Sequence, residues 1–505
     1  MSLQQITLYA FRPEAETFLM NVVHFYPDEV LKNFYQYQNK IWAAKVVERA
    51  ASLAPGVAKK YIIKDNPISG ILEKSQDLSV MTMMYITQTI GKKSNAYNLI
   101  DAIVKNELSV TEADTLSKQS FPYLKEMIRL RIQKHPLAEY SLDKELEIEA
   151  LKYVREMNDL HNENDKVRFA GVEKFSAEEL YTLIVYSEEE IFTSTFNGTF
   201  NRLLKNLGTR NRYQFFDSLG FNRYRTFIKQ CASFGKLEEF LSTMKVDEQK
   251  KLMMLFVSGL DDENVDLGEA VEVADAYSGI KDSTLAAYVR KNIKNEYIRA
   301  QLNERKEGMA IYGLLASLFA SERTFDSAWY SEISAQYQIP EINLVKHDDL
   351  FRQNEANIWQ MYFYDDEDGA ASFASFSALF KSDKHWRIAA EDDLYVKIQS
   401  AEGSPVIIYA NKPKAEYEGQ AFVEHLLDSL GVQPDVLIHR GHSYYAYKTI
   451  EKIKPSAQIF VLGSCGGYNS LSTVIQLAPE VSIISSKQIG VQGVNNPLLK
   501  LLADD

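Results

Sequence analysis

At 505 residues the chain exceeds what one hydrophobic core can serve, because cores stop growing near about 250–300 residues, so about three domains are expected. Its 46% hydrophobic and 25% charged residues match an ordinary globular protein and exclude a disordered chain. The formal charge of -13 excludes non-specific attraction to nucleic acid or an anionic membrane, since phosphate binding needs clustered Lys and Arg.

The first residues, MSLQQITLYAFRPEAETF, carry neither the basic nor the apolar stretch of a signal peptide. A cytoplasmic location is therefore expected, or export in a bacterium if a signal has been removed. No apolar run approaches the roughly 18 residues that span a bilayer, so no membrane span is expected.

From Arg12 to about Ser334 the pattern reads as helical. Pro27 and Asp28 open a segment, VLKNFYQYQNKIWAAKVVERAASL, with apolar residues at helical spacing. Ser176 and Glu179 have the spacing of a capping box that starts another helix. Lys251 to Gly259 and Met309 to Ala320 read as buried helices, with turns at Asp261 to Asn264 and at Gly279. The basic stretch Thr209 to Arg225 (TRNRYQFFDSLGFNRYR) reads as a solvated helix face. Neither strand alternation nor a fixed repeat period appears, so the expectation is an irregular helical bundle or solenoid. Division near Lys166 gives helical domains at 1–165 and 166–340, whose surface is expected to bind a protein partner.

Only two cysteines occur, Cys231 and Cys465, which excludes a disulfide framework. Cys231, inside FIKQCASF, reads as a core residue. No Cys/His cluster, Walker A motif or strand-linked GxGxxG is present, so no metal and no cofactor are expected.

After about Gln338 the texture changes, and 345–505 reads as an α/β domain. Strands are expected at Ile358 to Tyr364, Val406 to Ala410, Val436 to His439, Ile459 to Leu462 and Val481 to Ile484. Helices are expected at SFASFSALF, Gln420 to Leu430, Tyr444 to Ile453 and Leu471 to Leu477. Trp386 to Gln399 reads as an edge strand or small hairpin. Strands alternating with helices imply βαβ units and a mainly parallel sheet, and continuous apolar strands imply that both faces are covered. The fold class is thus a large all-helical region followed by a three-layer α/β domain.

In such a sheet the site lies beyond the carboxyl ends of the strands. There the sequence reads His439-Arg440-Gly441-His442-Ser443 and, one βαβ unit later, Gly463-Ser464-Cys465-Gly466-Gly467. Neighbouring strands would bring His442 and Cys465 to one sheet edge, about 4.8 Å apart in strand spacing. A cysteine needs an adjacent imidazole to become a thiolate at neutral pH. Gly463, Gly466 and Gly467 would let the backbone approach a substrate, with N–H groups available to an oxyanion.

An apolar strand ending in Gly-His, a helix, then an apolar strand ending in small residues and Cys resembles the caspase-like cysteine peptidases. Gingipains, clostripain, legumain, metacaspases, separase and CHAT domains share the pattern, and HRGHS is most similar to the gingipain and CHAT versions. The resemblance covers about Asn357 to Leu502, with Ser443 where those families usually have Gly. It implies a caspase-like domain with Cys465 as nucleophile, His442 as the catalytic histidine, and His439 and Ser464 in support. Backbone N–H groups near Gly441 and Gly466 would form the oxyanion site.

The acidic run Asp365 to Asp368 follows the first strand. It reads first as a solvated loop or helix start, where carboxylates suit the dipole. Its functional reading makes Asp365 or Asp366 the wall of a pocket for a basic side chain. The polar segment Ser485 to Pro497 reads as turn-rich, with Gln488 and Asn495 as candidate substrate contacts. The expected function is peptide-bond hydrolysis on a protein or peptide substrate, and the alternative is a non-catalytic relative that acts as a helical scaffold.

Overall fold

The structure is a computed structural model, and it describes residues 14–133, 136–188, 190–262, 267–277, 279–280, 282–319, 327–336, 350, 356–403, 405–464, 467–486 and 490–504. The chain divides into two compact units. The first comprises Met1–Glu190, Gly198–Ile228 and Leu241–Val273, and the second Ile191–Asn197, Lys229–Phe240 and Ala274–Asp505.

The first unit is helical throughout its described residues. Local chemistry sets its helix starts: Ser176 and Glu179 form a reciprocal capping box on Ala177–Tyr186, as their spacing implies, and Ser109 and Glu112 form another. The segment after Pro27 is not one helix. It breaks into Pro27–Lys32 and Ala43–Leu53, and Tyr37 fills the gap by donating its hydroxyl to Val30 O and stacking on Trp42.

The basic stretch Thr209 to Arg225 also departs from its sequence reading. It forms two helices, Arg212–Ser218 and Tyr224–Ser233, and Phe215 and Phe216 are fully buried. Arg212 and Arg225 are buried too; both donate to main-chain carbonyls, and Arg225 also pairs with Glu269. Two of the four arginines of the stretch thus turn inward to main-chain carbonyls, while Arg210 and Arg223 are exposed. A solvated face would have left all four in water.

The second unit carries the helices Ser283–Leu302, Lys306–Phe319 and Ser327–Gln336, with Tyr297 packed edge-on against Trp329. A seven-stranded sheet follows: β1 (Asn357–Phe363), β2 (Trp386–Glu391), β3 (Tyr395–Ser400), β4 (Val406–Asn411), β5 (Val436–Arg440), β6 (Ile459–Gly463) and β7 (Ser482–Ser485). Their order is β2-β3-β4-β1-β5-β6-β7. The run β4-β1-β5-β6-β7 is parallel, and the β2–β3 hairpin adds antiparallel to β4. β1, β5 and β6 are buried along their whole length, including the polar Asn357, Gln360, His439 and Arg440 among their mainly apolar residues.

Helices cover both faces. Helix α1 (Glu367–Lys381) and α5 (Gln492–Asp504) bring Phe376, Phe380, Leu499 and Ala503 onto Trp359, Met361 and Phe363. Helices α2 (Glu418–Leu430), α3 (Ala446–Ile450) and α4 (Leu471–Leu477) cover the other face. There Val423 packs on Ile358, and Ile450 and Val474 sit with Tyr362 and Phe460. Truncating a wholly buried ring such as Phe376 to Ala would cost about 3–5 kcal/mol.

Helix α5 was not expected, because Pro497 and the polar residues before it read as a turn. The helix runs through Pro497, and its buried face (Asn495, Asn496, Leu499, Ala503) is half polar. A proline and a mixed face together hide helical periodicity from the sequence.

Candidate functional site

The chain leaves β1 for α1 on one face, whereas it leaves β5 for α3 on the opposite face, and the two strands are neighbours. The connections therefore diverge, and a crevice opens between the two carboxyl ends. This is the switch point where doubly wound sheets bind ligands.

Two glycines let the crevice walls approach each other. Gly369 lies against the β1 exit, where an added Cβ would stand 2.0 Å from Tyr364 O. Gly441 has φ +148°, a conformation that disfavours any side chain, and its Cβ position is 3.8 Å from Gly369 Cα. Below them Tyr364 stacks on Tyr445 at 4.8 Å with an interplanar angle of 3°, and donates to or accepts from Thr449 Oγ1 at 2.7 Å. The loop after β4 adds Glu416 and Tyr417, consecutive non-glycine residues at φ 54° and 61°. Left-handed backbone of this kind is strain that the surroundings must hold. Lys448 lies over the Tyr417 ring at 3.8 Å and hydrogen-bonds its hydroxyl.

The two histidines of the β5 exit have opposite environments. His439 is fully buried, its Nδ1 is 2.8 Å from Thr449 Oγ1, and its ring is 5.5 Å from that of Tyr364. Burial, aided by the charge of Arg440 and His442, pushes its pKa down to about 3, so it stays neutral. His442 is half-buried at the crevice, and its Nδ1 accepts from Tyr444 N–H at 3.1 Å, capping the short turn Ser443–Tyr445. With Nδ1 an acceptor, the proton of the neutral ring sits on Nε2.

Asp366 stands across the crevice. Its Oδ1 caps α1 by accepting from Gly369 N–H, while Oδ2 is buried without a hydrogen-bond partner. Burial raises its pKa, opposed by the Gly369 bond and by the nearby His442. Its charge in turn is felt by the Tyr445 hydroxyl. Asp365 is exposed at the rim, and Glu367 and Asp368 occupy the first turn of α1. Most of the acidic run thus serves a helix start, and Asp366 faces a histidine.

Cys465, Gly466 and Gln488 lie outside the described residues. Ser464 is buried, and its Oγ has no hydrogen-bond partner. Asn495, read from sequence as a substrate contact, is buried and donates its amide to Gly463 O at 3.1 Å. Two glycines of the β6 exit also serve the chain itself. A Cβ on Gly463 would stand 2.9 Å from His439 O and 3.0 Å from the Arg440 side chain. A Cβ on Gly467 would stand 2.8 Å from Leu462 O. Sequence reasoning missed Arg440 as a member of this region, since an arginine ending an apolar strand carries no signal that it will turn inward.

A cavity of about 630 Å³ opens at the opposite, amino-terminal edge of the sheet, lined by Trp359, Trp386, Val406, Val436 and Ile459, and includes none of the crevice residues. Among the described residues no group of three or more His, Cys, Asp or Glu could hold a metal ion, and no helix is long and apolar enough to cross a membrane. Compared with protein-family models, curated proteins and solved structures, the chain matches none.

Proposed function

We infer that the sheet domain is a caspase-like cysteine peptidase, with Cys465 as nucleophile and His442 as proton carrier. One observation carries this reading. The β5–β6 ladder pairs Arg440 with Gly463, and in the sequence His442 and Cys465 each follow that rung by two residues. This register supports the reading, because a cysteine nucleophile needs an imidazole close by.

In the proposed cycle the Cys465 thiolate attacks the peptide carbonyl, and backbone N–H groups near Gly441 and Gly466 receive the oxyanion. The imidazolium of His442 protonates the leaving amine, and water then releases the acyl group. Asp366 lies near enough to His442 for their charges to interact, which leaves exposed Asp365 as the carboxylate for a basic substrate side chain. The helical units supply a surface for a protein partner.

The hydrogen bond from Tyr444 N–H to His442 Nδ1 favours a second reading, a non-catalytic scaffold with a neutral histidine locked as a turn cap. An imidazolium cannot accept there, so turnover requires His442 to rotate off the turn. Peptide-library cleavage by the full chain and by Cys465→Ala separates the two. The peptidase reading expects cleavage after basic residues, lost in the variant; equal products from both proteins would sink it.

A further inference from the structure

The outward surface of the α1/α5 layer is unlike that of ordinary helices in water. On α5 none of the exposed positions from Val491 to Leu501 is charged. Val491, Val494, Leu498 and Leu501 form a stripe at helical spacing, and Val494 and Leu501 are 61% and 59% exposed. Lys500, the charged residue within that span, folds sideways onto Asp383 and Asp504. On α1 the exposed positions between Asp368 and Lys381 are Ala370, Ala371, Ala374 and Ala378. By contrast α2, on the other face of the sheet, presents Glu418, His425 and Asp428 to water. A surface helix normally turns its charges outward, so the α1/α5 face has the make-up of a covered one.

The pattern of the face indicates what covers it. The α1 stripe is Glu367, Ala371, Ala374, Ala378, Lys381, with an acid at its start, a base at its end and small residues between. Laid antiparallel on a copy of itself, it puts Glu367 opposite Lys381 of the second copy. Lys381 pairs with Glu391 of its own chain at 3.1 Å and is 46% exposed, so it can meet a second carboxylate. The α5 stripe has the three-and-four spacing of a helix-pairing seam, and the same antiparallel arrangement puts Val494 opposite Leu498.

Both stripes also share one centre. The α1 stripe is centred on Ala374, and the α5 stripe lies evenly about Asn496. The helices run side by side in the same direction, with Asn496 donating to the Ser375 hydroxyl and Lys500 reaching Asp383. A single two-fold axis perpendicular to both helices therefore brings both stripes into register with their copies. The helices are about 20 Å long and about 10 Å across, so the face measures on the order of 400 Å² in projection, and side-chain relief adds to that. A standard interface takes about 800 Å² from each partner, so this face supplies the apolar core of a small one, with its charged ends as the rim. Copies of a chain with formal charge -13 repel each other, and approach costs least where the surface carries no charge.

We propose that the α1/α5 face binds a second copy of this chain, antiparallel, about a two-fold axis passing beside Ala374 and Asn496. The proposal goes beyond the peptidase reading and does not depend on it.

Sedimentation velocity of the full chain over a concentration series tests it. Wild type is expected to pass from monomer to dimer as concentration rises. Leu498→Asp and Ala374→Asp each bring like charges together across the axis, and should weaken association on the order of a hundredfold. Both positions are exposed, and so is Leu430 on α2, where Leu430→Asp should leave association unchanged. Glu367→Lys should weaken it by up to about tenfold, and adding Lys381→Glu should restore it. A wild type that stays monomeric throughout overturns the proposal, whether or not it binds neutral phosphatidylcholine vesicles or another protein instead. A dimer that persists in both Leu498→Asp and Ala374→Asp overturns it too, since its interface then lies elsewhere. A dimer that the double charge swap does not restore overturns the antiparallel register.

Discussion

Two buried arginines, one in each unit, show how differently this chain handles interior charge. Arg225, in the helical unit, donates Nε to Phe256 O at 2.9 Å and Nη2 to Ser258 O at 2.6 Å, and pairs with Glu269. Its donors close the end of the helix Val246–Val257, and a carboxylate neutralises it. Arg440, at the sheet exit, has two acceptors, an unbonded Nε and, among the described residues, no carboxylate. The first arrangement is what stability alone favours. The second leaves the Nε donor at the end of β5 unbonded, an arrangement that stability alone does not favour.

The largest effect expected is on turnover. Cys465→Ala should lower peptide cleavage by about a thousandfold or more, and His442→Ala by about a hundredfold, with neither changing the melting temperature appreciably. Loss of cleavage accompanied by unfolding would leave the comparison undecided between site and scaffold, so circular dichroism belongs in the same experiment.

Next comes the arginine contrast itself. Arg225→Met strands Glu269 and three carbonyls, and should destabilise the helical unit by about 3–5 kcal/mol in denaturant titration, with cleavage per folded molecule unchanged. Arg440→Met should cost less stability. Equal stability losses would erase the distinction between the two sites.

Asp366 gives a smaller effect of mixed sign. Burial raises its folded pKa, so its contribution to stability is full below the unfolded value near ~3.9 and is lost as pH rises through the raised value. Asp366→Asn keeps a side-chain oxygen for the α1 cap and removes the charge. It should be at least as stable as wild type at pH 7, match it in acid, and cleave about tenfold more slowly because His442 loses its carboxylate. A variant less stable at pH 7 with unchanged cleavage would reduce Asp366 to a helix cap.

The smallest effect belongs to His439. Its folded pKa is depressed to about 3, so it contributes stability above the unfolded value near ~6.5 that is lost as pH falls toward 3. His439→Gln should therefore show a shallower fall of melting temperature between pH 6.5 and 4. A slope as steep as wild type would mean that other groups govern acid unfolding.

Much of this was legible in the sequence where local rules govern. Apolar runs bounded by turns gave the five parallel strands. Trp386 to Gln399, read as an edge strand or small hairpin, is the β2–β3 hairpin, and the Ser176–Glu179 spacing gave its capping box. Proximity across the fold was not legible. Asp366 faces His442 because β1 and β5 are adjacent and leave in opposite directions, which follows from strand order and not from any local pattern. Helix α5 was hidden by Pro497 and by asparagines on its buried face. The glycines of the β6 exit were visible, but their cause was not: Gly463 lies against His439 O and the Arg440 side chain, and Gly467 against the end of β6. Arginines misled in both units for one reason, since a long cationic side chain can turn inward to cap carbonyls that the sequence does not display.

The most direct test of the central pairing is the rate of Cys465 alkylation by iodoacetamide at pH 6 in the folded wild type and in His442→Ala. An activated pair expects the wild type to react well above the rate of a free thiol, and the variant to fall back toward it. A wild-type rate no faster than a free thiol, unchanged by His442→Ala, would contradict the Cys465–His442 assignment.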